Sequence, residues 1–455
     1  MSTDSDLLAP LDLAFWNIES PEHPMHLAAL GVFEATSPAA ARHAADLLAA
    51  RAAGVPGLRM RIRDIWQPLR LRQTSPFDLH GPLAFGGAAR EAAPDFEPLD
   101  HVRLHAPAAD FHAVAGAIMQ RPLDRDRPPW EAHVVPGEAG TSFAVLFKFH
   151  HALADGLRAL TLAAAVLDPM DMPAPRPRPA EPARGFLPDV RKVPGLVRDA
   201  LSDVGQALDI GASAARATWG ARSTAALVSQ PTGTRRVAGA AVELDEIHRI
   251  RKSVGGTVND VLIAVVAGAL RRWLDERGDS SEGVSPRALI PVSRRRPRTA
   301  HPQGNRLSGY LMHLPVDDPD PLARLAAVRT AMDRNKDAGP TRGAGAVALL
   351  ADHVPALGHR LTMPVVGQAA RLLFDLLVTS VPLPSLGMTL GGCPLTEVYP
   401  LAPLARGQAL AVAVSTFRGR VHYGLVADAE AVPDLGLLAE SLTAEVAELT
   451  AACVS

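Results

Sequence analysis

The sequence predicts an α/β protein of two αβ units of similar size, and three observations carry that expectation. The order strand–helix–strand recurs in both halves of the 455-residue chain. A proline-rich stretch at 169–188, poor in apolar residues, separates the halves. No short-period repeat interrupts the order, and the length suffices for two or three domains with real cores. The division that follows is an N-terminal unit at 1–168, a linker with crossover helices at 169–234, and a C-terminal unit at 235–455.

The first unit reads as mixed from its start. Residues 39–53 form an alanine-rich amphipathic helix stopped by Gly54 and Pro56. Residues 57–66 alternate Leu58, Met60 and Ile62 with Arg59, Arg61 and Arg63, the pattern of a half-buried strand. A short helix is expected at 111–120. The clearest strand is 142–149, with Phe143, Val145, Phe147 and Phe149 on one face. A helix follows at 156–167. Beyond the proline-rich stretch, 190–227 regains apolar residues at helical spacing, as one or two crossover helices.

In the second unit a strand at 237–244 leads into a short helix at 244–253. Thr257 caps a long helix, with Asp260 as its box partner and Gly278 marking the end. Val258, Leu262, Val265, Val266, Ala269 and Trp273 give that helix one apolar stripe. Strands are expected at 288–292 and 306–314. The strongly apolar stretch 347–378 reads as a helical pair, either core or lining for an acyl chain or a membrane. Strands at 410–417 and 421–427 flank Arg418-Gly419-Arg420, a hairpin signal, and a helix at 435–451 closes the chain.

Composition excludes several classes. Hydrophobic residues are 47% and charged residues 21%, an ordinary globular balance. A formal net charge of -2 disfavours a nucleic-acid partner, which usually demands a basic excess. The two cysteines, Cys393 and Cys453, make neither a disulfide framework nor a zinc ribbon. Residues 1–6 carry no basic, then apolar, secretory pattern, and no charge-free run reaches membrane-spanning length. The expectation is a cytoplasmic protein, soluble or peripheral to the inner membrane face or a lipid droplet.

The chemistry concentrates at Phe147-Lys148-Phe149-His150-His151-Ala152-Leu153-Ala154-Asp155-Gly156. A histidine at a strand end takes a proton near neutral pH, which suits attack of a hydroxyl or amine on a thioester. The strand pleat forbids both histidines from facing one cavity, so one is the working base and the other is packed. Asp155 reads as a helix N-cap, or as a carboxylate locking the turn against a buried arginine, and the two roles are compatible. Gly156 permits close backbone approach or an unusual φ. A metal site is disfavoured, because adjacent histidines chelate one ion poorly and no further ligand cluster appears. A purely structural histidine pair is the remaining alternative.

His150-His151-Ala152-Leu153-Ala154-Asp155-Gly156 resembles the H-H-x-x-x-D-G signature of the CoA-dependent acyltransferase superfamily. Further segments resemble bacterial wax ester synthase/diacylglycerol acyltransferases. They are Pro10-Leu11-Asp12 with Pro24-Met25-His26, and Pro122-Leu123-Asp124-Arg125-Asp126-Arg127-Pro128-Pro129-Trp130-Glu131. Thr257-Val258-Asn259-Asp260-Val261, Pro291-Val292-Ser293-Arg294 with Gly304-Asn305, Glu397-Val398-Tyr399-Pro400 and Gly424-Leu425-Val426-Ala427-Asp428 continue the series in the family's order. The resemblance implies two chloramphenicol-acetyltransferase-like αβ sandwich domains forming a pseudo-dimer around a central tunnel. It implies His151 as base, His150 beside it, Asp155 and Gly156 as organisers of the turn, and Arg59 or Arg61 as the arginine partner of Asp155. It also implies Asn259, brought from the second domain.

Asn259 lies in the first turn of its helix, where free N–H groups favour a developing oxyanion; the alternative is that it only caps the helix. One stretch departs from the family pattern. Thr379-Ser380-Val381-Pro382-Leu383-Pro384 stands where S-N-V-P-G-P is usual. The basic run Arg294-Arg295-Arg296 with Arg298 is either a phosphate contact or a solvated loop. The expected function is O-acyl transfer from acyl-CoA, a co-substrate, to diacylglycerol or a long-chain alcohol, with no metal or prosthetic group. A different hydroxyl acceptor, or a catalytically weak lipid-binding or lipid-droplet protein, are the alternatives.

Overall fold

The computed structural model describes residues 6–65, 87–169, 223–230, 232–293, 307–338, 374–383 and 387–454. The first half contains β1 (Asp6–Leu7), α1 (Pro10–Ile18), β2 (His26–Glu34), α2 (Ala40–Ala52), β3 (Met60–Ile65), β4 (Gly87–Ala92), β5 (Val102–Leu104), α3 (Phe111–Met119), β6 (Trp130–Pro136), β7 (Ser142–His150) and α4 (Gly156–Ala164). The second contains β8 (Arg235–Glu243), α5 (Leu244–Val254), α6 (Val258–Glu276), β9 (Arg287–Ser293), β10 (Leu307–His313), α7 (Pro321–Ala338), β11 (Leu376–Pro382), β12 (Thr389–Leu390), β13 (Cys393–Leu401), β14 (Leu410–Phe417), β15 (Arg420–Asp428) and α8 (Leu435–Ala452).

Two six-stranded sheets form the body, in the orders β12-β13-β2-β7-β6-β5 and β10-β9-β11-β14-β15-β8, with a small sheet β1-β4-β3 beside them. The first sheet is completed from far along the chain. β13 pairs antiparallel with β2, Tyr399 opposite Leu30, so residues 389–401 cross from the second half into the first sheet. A linear cut at 235 assigns those strands to the other unit.

β7 shows why the sheet is central. Its Phe143, Val145, Phe147 and Phe149 face α2 in one core, as the alternation predicts. The opposite face, Ala144 and Leu146, packs with Ala115 and Ile118 of α3 and with Ala411, Ala413 and Val426 of the second sheet. Small residues let the sheets approach. A Cβ at Gly424 would overlap the Pro400 carbonyl oxygen, and one at Gly116 would lie 3.0 Å from Arg235 O.

Several expectations shift. Pro56–Arg59 is a 3-10 turn, opened by a proline that has no N–H to donate, so the expected strand at 57–66 begins only at Met60. α6 has the expected Thr257–Asp260 capping box but not a single stripe. Every residue from Asp260 to Leu270 is buried, because α6 is enclosed by α5, α7, α8 and the second core. The expected helical pair at 347–378 ends in β11: Leu376 and Val378 enter one core while Leu377 faces the other, a period of two. The hairpin at Arg418-Gly419 is formed, with φ of 49° and 77° suited to a two-residue turn. The rest of the apolar stretch, most of the proline-rich linker and crossover segment, the basic run and Gly304-Asn305 lie outside the described residues. Among those described, no single helix is long and apolar enough to cross a membrane.

Candidate active site

The site is assembled from α1, the end of β7 and the small sheet. α1 starts with Pro10 in its first turn, where the missing N–H costs nothing. Asp12, Phe15, Trp16 and, at the C-cap, Glu19 then recur at spacings of three and four, and so share a face. That face lies across both histidines. The Trp16 ring meets His150 edge-on at 5.0 Å, and Phe15 stacks on His151 at 4.0 Å.

The two histidines are separated as the pleat requires. His150 N–H donates to Pro129 O at 2.9 Å on one side, and His151 N–H donates to Met25 O at 2.8 Å on the other. The His150 ring is occupied: Ala152 N–H donates to its Nδ1 at 3.0 Å. A backbone N–H can only donate, so Nδ1 is the acceptor and the proton sits on Nε2. Nε2 lies 3.3 Å from Glu19 Oε2, near but without straight hydrogen-bond alignment. His150 is 0% exposed.

His151 differs in every respect. It stands past the strand end, only partly buried. Burial pushes its pKa down to about 4, against the opposing pull of a ring hydrogen bond to its own backbone and of the Asp155 charge. It is therefore neutral at physiological pH and able to accept a proton. One ring nitrogen is hydrogen-bonded to the residue's own backbone, which orients the imidazole at the strand end.

Asp155 caps α4, accepting from Arg158 N–H at 2.8 Å. The arginine that reaches this turn is neither Arg59 nor Arg61. Arg61 projects from β3 to Glu91, its Nε 2.8 Å from Oε1, and Arg59 is exposed in the 3-10 turn. Arg90 of β4 takes the place instead, 3% exposed, with Nη2 2.6 Å from Asp12 Oδ2 and 2.7 Å from Ala152 O. Its strand pairs with both β1 and β3, which aims the side chain inward under α1.

Gly156 shows neither the unusual φ nor the close approach expected of it. A Cβ there would make an ordinary 3.7 Å contact with Val381 Cγ2. Val381 of the divergent stretch therefore lies beside the histidine turn, although more than two hundred residues separate them. Asn259 is the second residue of α6. The cap is Thr257, so the capping alternative for Asn259 falls, and its side chain makes no hydrogen bond to another described residue.

Behind the turn lies a buried polar layer. Lys148 shares the His150 face, is 0% exposed, and donates to Ile118 O at 3.2 Å and to Arg121 O. Burial lowers its pKa to about 8, held there by the charges of Glu131 and Glu19. His26, paired across the strands with His150, contacts Met119 O at 2.7 Å. Both fasten the carbonyl end of α3, where cations and donors are favourable. The segment 122–131 braces the same place. Arg125 lies 3.7 Å over the Trp16 ring and donates to Trp16 O at 3.1 Å, and Glu131 stands 3.8 Å from Lys148 Nζ.

Glu19, Arg90 and Lys148 were not singled out by sequence reasoning. Only Lys148 left a signal, as the one cation inside an otherwise apolar strand. Among the described residues, no group of three or more His, Cys, Asp or Glu side chains is placed to hold a metal ion.

Residues 8–262 match the model of the wax ester synthase/diacylglycerol acyltransferase catalytic domain, and 303–450 match the C-terminal domain of the same group. A probable diacylglycerol O-acyltransferase of Mycobacterium tuberculosis is 30% identical over 98% of this chain and 96% of its own length. A second one from that species is 30% identical over 98% of both. The structure is similar to a wax ester synthase/diacylglycerol acyltransferase from Marinobacter aquaeolei, with a TM-score of 0.71 at 22% identity over 99% and 100% of the two chains. It is also similar in fold to a trichothecene 15-O-acetyltransferase from Fusarium sporotrichioides, with a TM-score of 0.57 at 11% identity over 97% and 94%.

Proposed function

This chain belongs to the wax ester synthase/diacylglycerol acyltransferase family, and from that premise we propose that it esterifies a diacylglycerol or long-chain alcohol with the acyl group of an acyl-CoA. One observation carries the assignment of roles. His151 is the neutral, partly exposed imidazole, while the His150 ring is committed to Ala152 N–H and the Glu19 side.

In this reading His151 takes the proton of the acceptor hydroxyl as its oxygen attacks the thioester carbon. The carbonyl oxygen carries the negative charge of the tetrahedral intermediate. The C–S bond then breaks, and the protonated ring returns its proton to the leaving thiolate. Atoms balance as ester plus coenzyme A, with no external acid, base or redox partner. Asn259, at the N-terminal turn of α6, is a donor suited to the oxyanion. Asp155 and Gly156 shape the turn and the start of α4. Val381, set against that helix start, is a candidate for the acceptor side. Both substrates carry long apolar chains, so peripheral contact with a membrane or lipid droplet is part of the proposal.

The test is thiol release from palmitoyl-CoA with hexadecanol, with diacylglycerol and with no acceptor, for wild type and His151→Ala. Acceptor-dependent release is expected in wild type, and the substitution should lower it ~10²- to 10⁴-fold. With a pKa of about 4 the free-enzyme base stays neutral from pH 8 down past pH 5, so the wild-type rate should fall only as pH approaches 4. No acceptor-dependent release in wild type would sink the reading, and equal rates in both proteins would sink the role of His151.

A further inference from the structure

Glu19 is a carboxylate with 4% side-chain exposure, and both of its oxygens are directed at the histidine turn. Oε1 accepts from Met25 N–H at 3.0 Å. Met25 O in turn accepts from His151 N–H at 2.8 Å. Oε2 lies 3.3 Å from His150 Nε2, and His150 Nδ1 accepts from Ala152 N–H. These contacts close a ring: Glu19 reaches His150 through its side chain and His151 through the Met25 peptide. A buried carboxylate is costly unless paired, and a plain core position has no need of one.

We propose that Glu19 is a positioning residue for acyl transfer, fixing the ring tautomer of His150 and, through Met25, the placement of His151. The proposal rests on the reading of His151 as base. The charges around Glu19 agree with it. Burial works against its ionisation, but His150, Met25 N–H and the Arg125 guanidinium outweigh burial, and its pKa lies below the ordinary value.

Glu19→Gln is a sharp probe, because an amide offers one acceptor where the ring needs two. If its oxygen stays with Met25 N–H, its NH₂ faces the proton on His150 Nε2. If His150 shifts that proton to Nδ1, it meets Ala152 N–H. Flipping the amide moves the same clash to Met25. Every arrangement breaks one contact with no change in size.

The experiment uses the full chain as wild type, Glu19→Gln, His150→Ala and the double variant. It measures kcat and KM for palmitoyl-CoA at saturating hexadecanol, and ¹⁵N imidazole spectra in which His150→Ala identifies the His150 signal. Glu19→Gln should lower kcat ~10- to 100-fold with KM nearly unchanged. The double variant should be no slower than His150→Ala within about 2-fold, since both act on one unit. The His150 spectrum should show Nε2 protonated in wild type and change in Glu19→Gln. Wild-type kcat in Glu19→Gln, or losses that multiply in the double variant, would overturn the proposal. Should Glu19→Gln not fold, Glu19→Asp keeps the charge but withdraws it by one methylene, and an undiminished kcat there has the same force. If wild type itself lacks turnover, the functional reading fails, while the spectra still decide whether Glu19 holds His150.

Discussion

The inner face of β7 runs from Ala144 and Leu146 to Lys148 and His150, both fully buried. The faces of β14 and β15 that meet it carry Ala411, Ala413, Gly424 and Val426. The first sheet thus carries Lys148 and His150 where the second carries small apolar residues, with the buried His422 farther along β15 against Tyr399. Three buried polar groups of the first half are held by hydrogen bonds: Arg90 by Asp12 and Ala152 O, Lys148 by carbonyls of the α3 end, His26 by Met119 O. The second half is held by the apolar enclosure of α6, with the buried ion pairs Arg324–Glu445, against Gly268, and Arg235–Asp428, between β8 and β15. The surroundings of the histidine turn and of α6 thus rest on different interactions, and each should respond to substitution in its own way.

The largest effect is expected from Arg90→Ala. It leaves the Asp12 carboxylate buried without this arginine and removes a donor from the Ala152 carbonyl. Breaking a buried pair in this way costs about 3–5 kcal/mol, so denaturant unfolding should move by that amount and turnover should fall with it. A variant of wild-type stability would show that the polar half is not held by its pairs. Gly268→Ala probes the other half. The new Cβ overlaps the Glu445 carboxyl, and overpacking of this kind costs ~1–3 kcal/mol. Its kcat per folded molecule should equal wild type; a drop would mean that scaffold and chemistry are not separable. Smallest is Thr257→Ala, which removes one side of the capping box for about 1 kcal/mol of stability. Because Asn259 lies two residues on, a fall in kcat beyond the stability change would tie the start of α6 to the reaction.

Local pattern made much of this legible. The alternation of β7, the Thr257 capping box, the Arg418-Gly419 hairpin and the start of α4 at Gly156 each depend on neighbours within a few residues. The opposite facing of His150 and His151 was legible too, since a strand pleat is a property of consecutive residues. The all-round burial of α6 was not, because its periodicity records only the strongest face and not what encloses the others. Nor was the arginine at the histidine turn. Arg59, Arg61 and Arg90 all lie near strands in the sequence, and only the pairing of β4 between β1 and β3 turns Arg90 inward.

The sequence by itself determined the αβ character of the chain, the H-H-x-x-x-D-G turn and its family, because short-range spacing encodes them. Tertiary structure alone decided that β12 and β13 complete the first sheet, that Glu19 and Arg90 grip the turn, and that Val381 rests against Gly156. The physical reason is common to all three. Such contacts join residues far apart in the chain, and their partners are chosen by strand order and burial rather than by any local repeat.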